Sequence, residues 1–335
     1  MASSKDHPTP VGLMGTTSTG SDVVLVTGGT GLIGYALQRV VERDEKLSAQ
    51  KWVFLSSKDG NLVDRNACEA IFEKHQPTHC IHLAARVGGL FANMKYKVEF
   101  YRENVILNDN VMECCRLYKV KKLVSCLSTC IFPDKTTYPI DENMIHNGAP
   151  HTSNEGYAYA KRMIDVLNRC YNDEYDCNFT SIVPTNIYGP NDNYNLEDSH
   201  VIPGLMHKCM IAKKEGKPFT IMGSGKPLRQ FIYSEDLAEL IIWTMLEYHS
   251  PEPIILSVDE QEEVSIGELA RMVANAMEFT GEIVFDTAKS DGQFKKTASN
   301  AKLRSFKPDY KFTPIEEGLQ KAATWFIENY DKARK

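Results

Sequence analysis

Short β-branched runs that alternate one for one with amphipathic stretches predict a doubly wound parallel α/β sheet, and looser order beyond Pro184 predicts a smaller mixed α/β lobe beside it. A chain of 335 residues, 42% apolar and 24% charged, has material for both. The strand-like runs are VVLVTG from Val23, KWVFLSS from Lys51, HCIHLAA from His79, KLVSCLST from Lys122 and FTSIVP from Phe179. Their near-continuous apolar character is that of strands buried on both faces. Helical periodicity fills the gaps at 31–43, 66–75, 97–119 and 156–175.

After Pro184 the segment PTNIYGPNDNYN is dense in Asn, Asp and Pro, a helix follows near 200–214, and the turn GSGKP leads into LRQFIY. A helix opens at Ser234 with a serine cap and acids in its first turn, and the strand PIILSV succeeds it. Helices near 265–278 and 315–330 finish the chain. The expected organisation is a flexible tail over 1–20, a dinucleotide-binding domain over 21–185 with a returning segment about 231–260, and a substrate-binding lobe from 186–230 and 261–335.

Charge and composition exclude several classes. The net charge is −6 and the 38 Lys and Arg are scattered, so nucleic acid is not an expected partner. No run approaches the roughly 20 apolar residues of a bilayer span, and MASSKDHPTP lacks the apolar core of a secretory signal, so the expected compartment is the cytoplasm. Nine cysteines include no Cys-x-x-Cys pair, and no metal site is expected.

The first strand runs directly into Gly28-Gly29-Thr30-Gly31-Leu32-Ile33-Gly34 and then a helix, which is the strand–turn–helix context of a Rossmann-type pyrophosphate loop. Gly28 permits the turn, Gly31 lets backbone amides approach an anion, and Gly34 allows the helix to pack on the strand. The second strand ends Leu55-Ser56-Ser57-Lys58, where NAD-preferring proteins place an acid for the ribose hydroxyl. Hydroxyls and a cation suit a 2′-phosphate instead, so NADPH is the expected cofactor, with Asp59 one place later leaving NAD open.

Tyr157 and Lys161 are spaced i, i+4 at a helix start, which sets phenol and ammonium on one face. An adjacent ammonium is expected to lower the phenol pKa toward the range of a proton donor. Ser128 ends the fourth strand on the ligand side of the sheet. Cys130 lies two residues further, and in an extended chain it would share that side.

TGGTGLIG, HLAA at 82–85, Ser128 and Tyr157-x-x-x-Lys161 together resemble the extended branch of the short-chain dehydrogenase/reductase superfamily over nearly the whole chain. LSTCIFPDKTTYPIDE, PTNIYGPNDNYN, SHVIPGL, GSGKPLRQFIY and SDGQFKKTAS narrow the resemblance to the family of GDP-4-dehydro-6-deoxy-D-mannose 3,5-epimerase-4-reductases. That family inverts carbons 3 and 5 and reduces carbon 4 with NADPH, giving GDP-L-fucose. The resemblance implies Ser128, Cys130, Tyr157, Lys161 and His200 as catalytic residues, with Cys130 and His200 moving the protons and a neighbouring imidazole favouring thiolate.

It further implies cofactor contacts from Gly28, Gly29, Thr30, Gly31, Leu32, Ile33 and Gly34, from Ser57, Lys58, Ala84 and Ala85, and from Asp64 to the adenine. Lys161, Pro184, Thr185, Asn186, Ile187 and His200 border the nicotinamide half, and Asn186, Lys208, Met222, Arg229, Asp291 and Lys296 are the implied substrate contacts. Met222 stands where relatives carry Trp, and Thr30 where some bacterial relatives carry a basic residue, so phosphate recognition must use other donors. A homodimer through the helices 97–119 and 156–175 is also implied. The rival readings are a 4-epimerase or dehydratase that retains NAD and a non-catalytic NADPH-binding regulator. Thr129-Cys130 in place of an Asp-Glu pair argues against a dehydratase, and the complete Ser128, Cys130, Tyr157, Lys161 set against a regulator.

Overall fold

The computed structural model describes residues 22–289, 291 and 293–335; the tail expected over 1–20 lies outside them. Strands β1 (Val23–Thr27), β2 (Lys51–Phe54), β3 (His79–His82), β4 (Lys122–Cys126) and β5 (Phe179–Pro184) alternate with helices α1 (Leu32–Arg43), α2 (Glu45–Ser48), α3 (Arg65–His75), α4 (Leu90–Lys95), α5 (Lys97–Leu117) and α6 (Glu155–Tyr175). Then come β6 (Asn186–Tyr188), α7 (Val201–Glu215), β7 (Phe219–Met222), β8 (Leu228–Arg229), β9 (Phe231–Tyr233), α8 (Ser234–Leu246) and β10 (Ile254–Leu256). The last elements are β11 (Val264–Ser265), α9 (Ile266–Ala276), β12 (Ile283–Asp286), α10 (Ala301–Phe306) and α11 (Ile315–Glu328).

The central sheet has six strands in the order β10-β5-β4-β3-β1-β2, all parallel. Alternation along β1 sends Val24 and Val26 to one apolar layer and Leu25 to the other. The first layer packs α1 and α8 on the sheet through Leu37, Val40, Leu237 and Ile241. The second holds Phe72 of α3, Val111 of α5 and Ile164 of α6. The chain goes outward from β1 to β2 and returns to β3 on the other side of β1. A crevice therefore opens outside the carboxyl ends of β1 and β3, where ligands of open α/β sheets bind. This is the doubly wound sheet expected.

A third apolar cluster, with Tyr188, Tyr194, Met206, Phe219, Leu269 and Phe326, lies beyond the sheet. Its strands form pairs rather than a sheet: β7 with β12, β6 with β9, and β8 with β11. The run LRQFIY is divided because Gln230 turns its side chain inward. Its Nε2 donates to the carbonyls of Val258 and Ala298, both at 3.1 Å, and its Oε1 accepts from the Ala298 amide at 2.7 Å. Tyr194 stacks on Phe326 with centroids 4.0 Å apart, which fastens the Asn/Asp-rich loop to α11. No helix among the described residues is long and apolar enough to cross a membrane.

Candidate active site

The glycine loop folds tightly because close approaches at Gly28, Gly29 and Gly34 exclude side chains. Gly28 has φ +69°, and a Cβ there would stand 2.9 Å from the Ala84 amide nitrogen; a Cβ on Gly34 would stand 2.4 Å from the Gly29 carbonyl carbon. Gly29 contributes to packing instead of to the cavity wall: its amide donates to the Leu55 carbonyl at 2.7 Å, and a Cβ would meet the Phe54 backbone. Gly31 caps α1 without any side-chain acceptor, so the first amides of the helix have no capping partner. They face a cavity of about 820 Å³ lined by Gly28, Thr30, Gly31, Leu32, Ile33 and Gly34. Unclaimed amides at the positive end of a 12-residue helix are the donor set a dinucleotide diphosphate needs.

At the adenosine end Ser56, Ser57, Asn61, Leu62 and Val63 line the cavity. Lys58 is exposed and outside the lining. The Asp59 carboxylate folds back on Ser56, accepting from its amide at 2.7 Å and its hydroxyl at 2.8 Å, and these bonds hold its pKa below the usual range. Asp64 is also engaged locally: it caps α3 by accepting from the amides of Asn66 and Ala67, and the neighbouring Leu62 and Val63 form the wall in its place.

Between β1 and β3 a buried chain of hydrogen bonds fixes the loop that follows β3. The Thr27 hydroxyl oxygen accepts from the amides of Leu83 and Ala84, both at 3.1 Å, and lies 2.8 Å from Nδ1 of His82. On its other side, His82 Nε2 is 3.0 Å from Asn108 Oδ1, and Asn108 Nδ2 donates to the Ala160 carbonyl in α6 at 3.4 Å. The network assigns the His82 proton to Nε2. Burial, helped by the Lys161 charge, pushes the His82 pKa down to about 3. The unfolded chain therefore takes up a proton that the fold refuses, so stability is intact above pH 6.5 and falls as pH drops toward 3. His82→Gln is expected to flatten this acid limb by up to about 1.4 kcal/mol per pH unit, read from denaturant midpoints between pH 6.5 and 4.

The cavity continues past Ala84 and Ala85 to Ser128, Tyr157, Lys161, Pro184, Thr185, Asn186, Ile187 and His200. Lys161 is buried, and its Nζ donates to the Cys126 carbonyl at 2.8 Å. The expected lowering of the Tyr157 pKa is not what this arrangement produces. Burial pushes the phenol well above its ordinary value, with the Cys130 and Cys126 thiols adding to the effect. Burial also lowers Lys161. The phenol is thus held protonated, as a proton donor requires.

Cys130 departs from the expected extended geometry. Ser128 is extended, with φ −160° and ψ 150°, but residues Thr129–Ile131 turn into a 3₁₀ helix that Ser128 caps, its hydroxyl accepting from the Cys130 amide at 3.4 Å. A side-chain period of two therefore does not apply. Cys130 is buried and outside the cavity's lining, yet the charges that act on it are those of the site. Burial raises its thiol, and the Lys296 ammonium, the Ser128 hydroxyl and the Lys161 ammonium pull it back. Of the charges that pull the thiol back, that of Lys296 is the largest. His200 lies at the start of α7, accessible from the cavity, and the protein around it lowers its pKa.

Lys208, Met222, Arg229, Asp291 and Lys296 fall outside this cavity. Lys208 and Lys296 are both lowered by burial. Arg229 turns its fork onto backbone carbonyls, Nη1 to Leu228 at 2.7 Å and Nη2 to Gln293 at 2.6 Å. Asp291 accepts from the Ser224 amide at 2.6 Å and hydroxyl at 2.7 Å, closing the GSGKP turn, and Met222 is 57% exposed beside it at the end of β7. Asn186 lines the cavity while its Nδ2 donates to the Gln230 carbonyl at 2.9 Å. Sequence reasoning missed Arg86, Asp192 and Arg334, which also line the cavity.

A doubly wound sheet with a glycine loop at its switch point, and a Ser, Tyr, Lys set further along the same crevice, defines a dinucleotide-dependent oxidoreductase of the short-chain dehydrogenase/reductase type. Residues 24–258 match the NAD dependent epimerase/dehydratase family. A GDP-L-fucose synthase of Dictyostelium discoideum is 61% identical over 320 residues, covering 96% of this chain and 100% of its own length. A probable GDP-L-fucose synthase of Drosophila melanogaster is 56% identical, covering 93% of this chain and 99% of its own. Among solved structures, a GDP-L-fucose synthetase of Naegleria fowleri bound to NADP is 54% identical and superposes with a TM-score of 0.91, covering 96% of this chain and 97% of its own. The chain belongs to the NAD dependent epimerase/dehydratase family and, within it, to the GDP-L-fucose synthases.

Proposed function

We propose that this chain converts GDP-4-dehydro-6-deoxy-D-mannose to GDP-L-fucose by inverting carbons 3 and 5 and then reducing carbon 4 with NADPH. The observation that carries the reading is the placement of Ser128, Tyr157, Lys161 and His200 on one crevice in a chain 61% identical to a GDP-L-fucose synthase. A ketone at carbon 4 acidifies the hydrogens on both neighbouring carbons, because loss of either leaves an enolate whose charge rests on the carbonyl oxygen. Ser128 and Tyr157 hold that oxygen by hydrogen bonds, and the Lys161 ammonium stabilises its charge. Cys130 and His200 form the proton pair: one removes a proton from one face of the carbon and the other returns one from the opposite face. The Lys296 ammonium beside Cys130 favours thiolate against the pull of burial.

Bound NADPH supplies the hydride to carbon 4. Tyr157 then gives its proton to the carbonyl oxygen, and Lys161 offsets the charge left on the phenolate. The glycine-loop amides hold the diphosphate, and Ser57 with Lys58 at the rim receives the 2′-phosphate. Lys58→Glu is expected to lower the ratio of NADPH to NADH affinity by about 10-fold, on the order of one charge-assisted contact. Equal ratios in the two proteins, measured by cofactor fluorescence, would remove Lys58 from this role.

Lys208, Arg229, Asp291 and Lys296 are assigned to the GDP-sugar in the lobe built from 186–230 and 261–335, with Met222 offering apolar contact to the base. Arg229 must then exchange a backbone carbonyl for a phosphate oxygen. The enzyme acts in the cytoplasm as a homodimer through α5 and α6, whose exposed Val98, Tyr101, Tyr159 and Met163 support an apolar contact between copies. Light scattering tests this by the mass of one chain or two. Stoichiometric oxidation of added NADPH on mixing with the keto sugar tests the reduction. A tightly held NAD recycled within each turnover, the behaviour of a 4-epimerase, would overturn it.

A further inference from the structure

Among the described residues, three Lys and Arg side chains line the cavity: Arg86, Lys161 and Arg334. Two are already engaged. Arg86 is ion-paired with Glu103 and lies over the Phe100 ring at 5.2 Å, and Lys161 holds the Cys126 carbonyl. Arg334 differs in having a fixed backbone and a guanidinium with donors to spare. Its carbonyl accepts from the Tyr194 amide at 2.7 Å, and it forms a parallel bridge with Asn193. Ala333, just before it, is buried. The guanidinium makes one hydrogen bond, from Nη2 to the Asn191 carbonyl at 2.7 Å, and no carboxylate lies within ion-pairing distance among the described residues.

Asp192, between the Asn191 and Asn193 that Arg334 contacts, forms no ion pair with it among the described residues. Asp192 is 4% exposed, with one carboxylate oxygen accepting from the Asn193 amide at 2.7 Å and the other without a partner among the described residues. Burial pushes this carboxyl up to about 7, against the pull of the Arg334 charge. The glycine loop meanwhile carries Thr30 and no cation, so its amides alone face an anion of two negative charges. A planar fork with free donors, held by a backbone bridge and lining that cavity, supplies what the glycine loop lacks.

We propose that Arg334 is a diphosphate-binding cation of this cavity. The inference rests on the reading of the cavity as a dinucleotide site. The same chemistry has two sources in the proposed reaction, the diphosphate of the dinucleotide and that of the nucleotide sugar, and three probes separate them. NADPH carries the dinucleotide diphosphate, GDP carries that of the sugar nucleotide, and 2′,5′-ADP carries two monophosphates and no diphosphate. Arg334→Gln removes the charge and the fork, and with them the Nη2 bond to the Asn191 carbonyl. Its thermal midpoint, compared with the parent's, checks that the fold survives.

The expected result by calorimetry is NADPH binding weakened about 10-fold to 100-fold, 2′,5′-ADP unchanged within about two-fold, and partial recovery of NADPH affinity in Arg334→Lys. The same loss for GDP, with NADPH and 2′,5′-ADP unchanged, would place Arg334 on the nucleotide sugar. Equal losses for all three probes, or no loss for any, would overturn the proposal. Failure of the unsubstituted protein to bind NADPH would instead overturn the dinucleotide reading on which it rests.

Discussion

Replacing Cys130 by serine is expected to stop the entry of solvent deuterium at carbons 3 and 5 of GDP-4-dehydro-6-deoxy-D-mannose while NADPH binds as before. A serine hydroxyl has nearly the volume of a thiol but is a far weaker acid. It cannot use the Lys296 charge that pulls the Cys130 thiol back toward ionisation. Loss of a positioned proton carrier corresponds to about 10²-fold to 10⁴-fold in rate. Cofactor affinity is untouched because Cys130 lies outside the lining of the cavity that holds the glycine loop. Epimerisation at the parent's rate would assign Cys130 to packing alone, and the exchange rate followed by mass spectrometry decides between the two.

Tyr157→Phe is expected to lower the reductive step by a comparable factor. Burial holds the phenol protonated, so it is a donor awaiting an acceptor, and the ring alone cannot donate. The same hydroxyl is proposed to hold the enolate oxygen, so deuterium exchange is expected to fall as well, though less, with Ser128 and the Lys161 charge still in place. Single-turnover oxidation of NADPH in this variant reports the first effect and exchange without cofactor the second. Reduction within two-fold of the parent would show that another group supplies the proton.

Much of this site was legible because its signals are local. The glycine loop could be placed from seven consecutive residues, since a strand, a turn with no room for a Cβ and a helix leave one geometry, and Gly28, Gly29 and Gly34 occupy the close approaches. Tyr157 and Lys161 were legible from helical spacing. Their electrostatics were not: the i, i+4 separation says nothing about how deeply the pair is buried, and burial governs both groups. Cys130 was misplaced because a short polar cap, Ser128, ends the extended chain one residue earlier than the apolar run suggests.

Contacts made at long range left no local signal at all. The Lys296 charge acts on Cys130 from far along the chain, and Arg334 is set at the cavity by its backbone bridge to Asn193. The paired strands β7 and β12 are short and carry no flanking hairpin turn, so their apolar runs could not be told from loop. Asp64 illustrates the reverse case: an acid at a helix start satisfies first-turn amides, and that local use was as readable in the sequence as the ligand contact.

Whether one crevice performs both the inversions and the reduction is decided by mixing the protein with GDP-4-dehydro-6-deoxy-D-mannose and NADPH in deuterium oxide, following nicotinamide absorbance and product mass together. The expected result is one NADPH oxidised per product and solvent deuterium at both carbons 3 and 5. Oxidation of NADPH into a product with no deuterium at either carbon would contradict it, leaving a simple ketoreductase with Cys130 and His200 in structural positions.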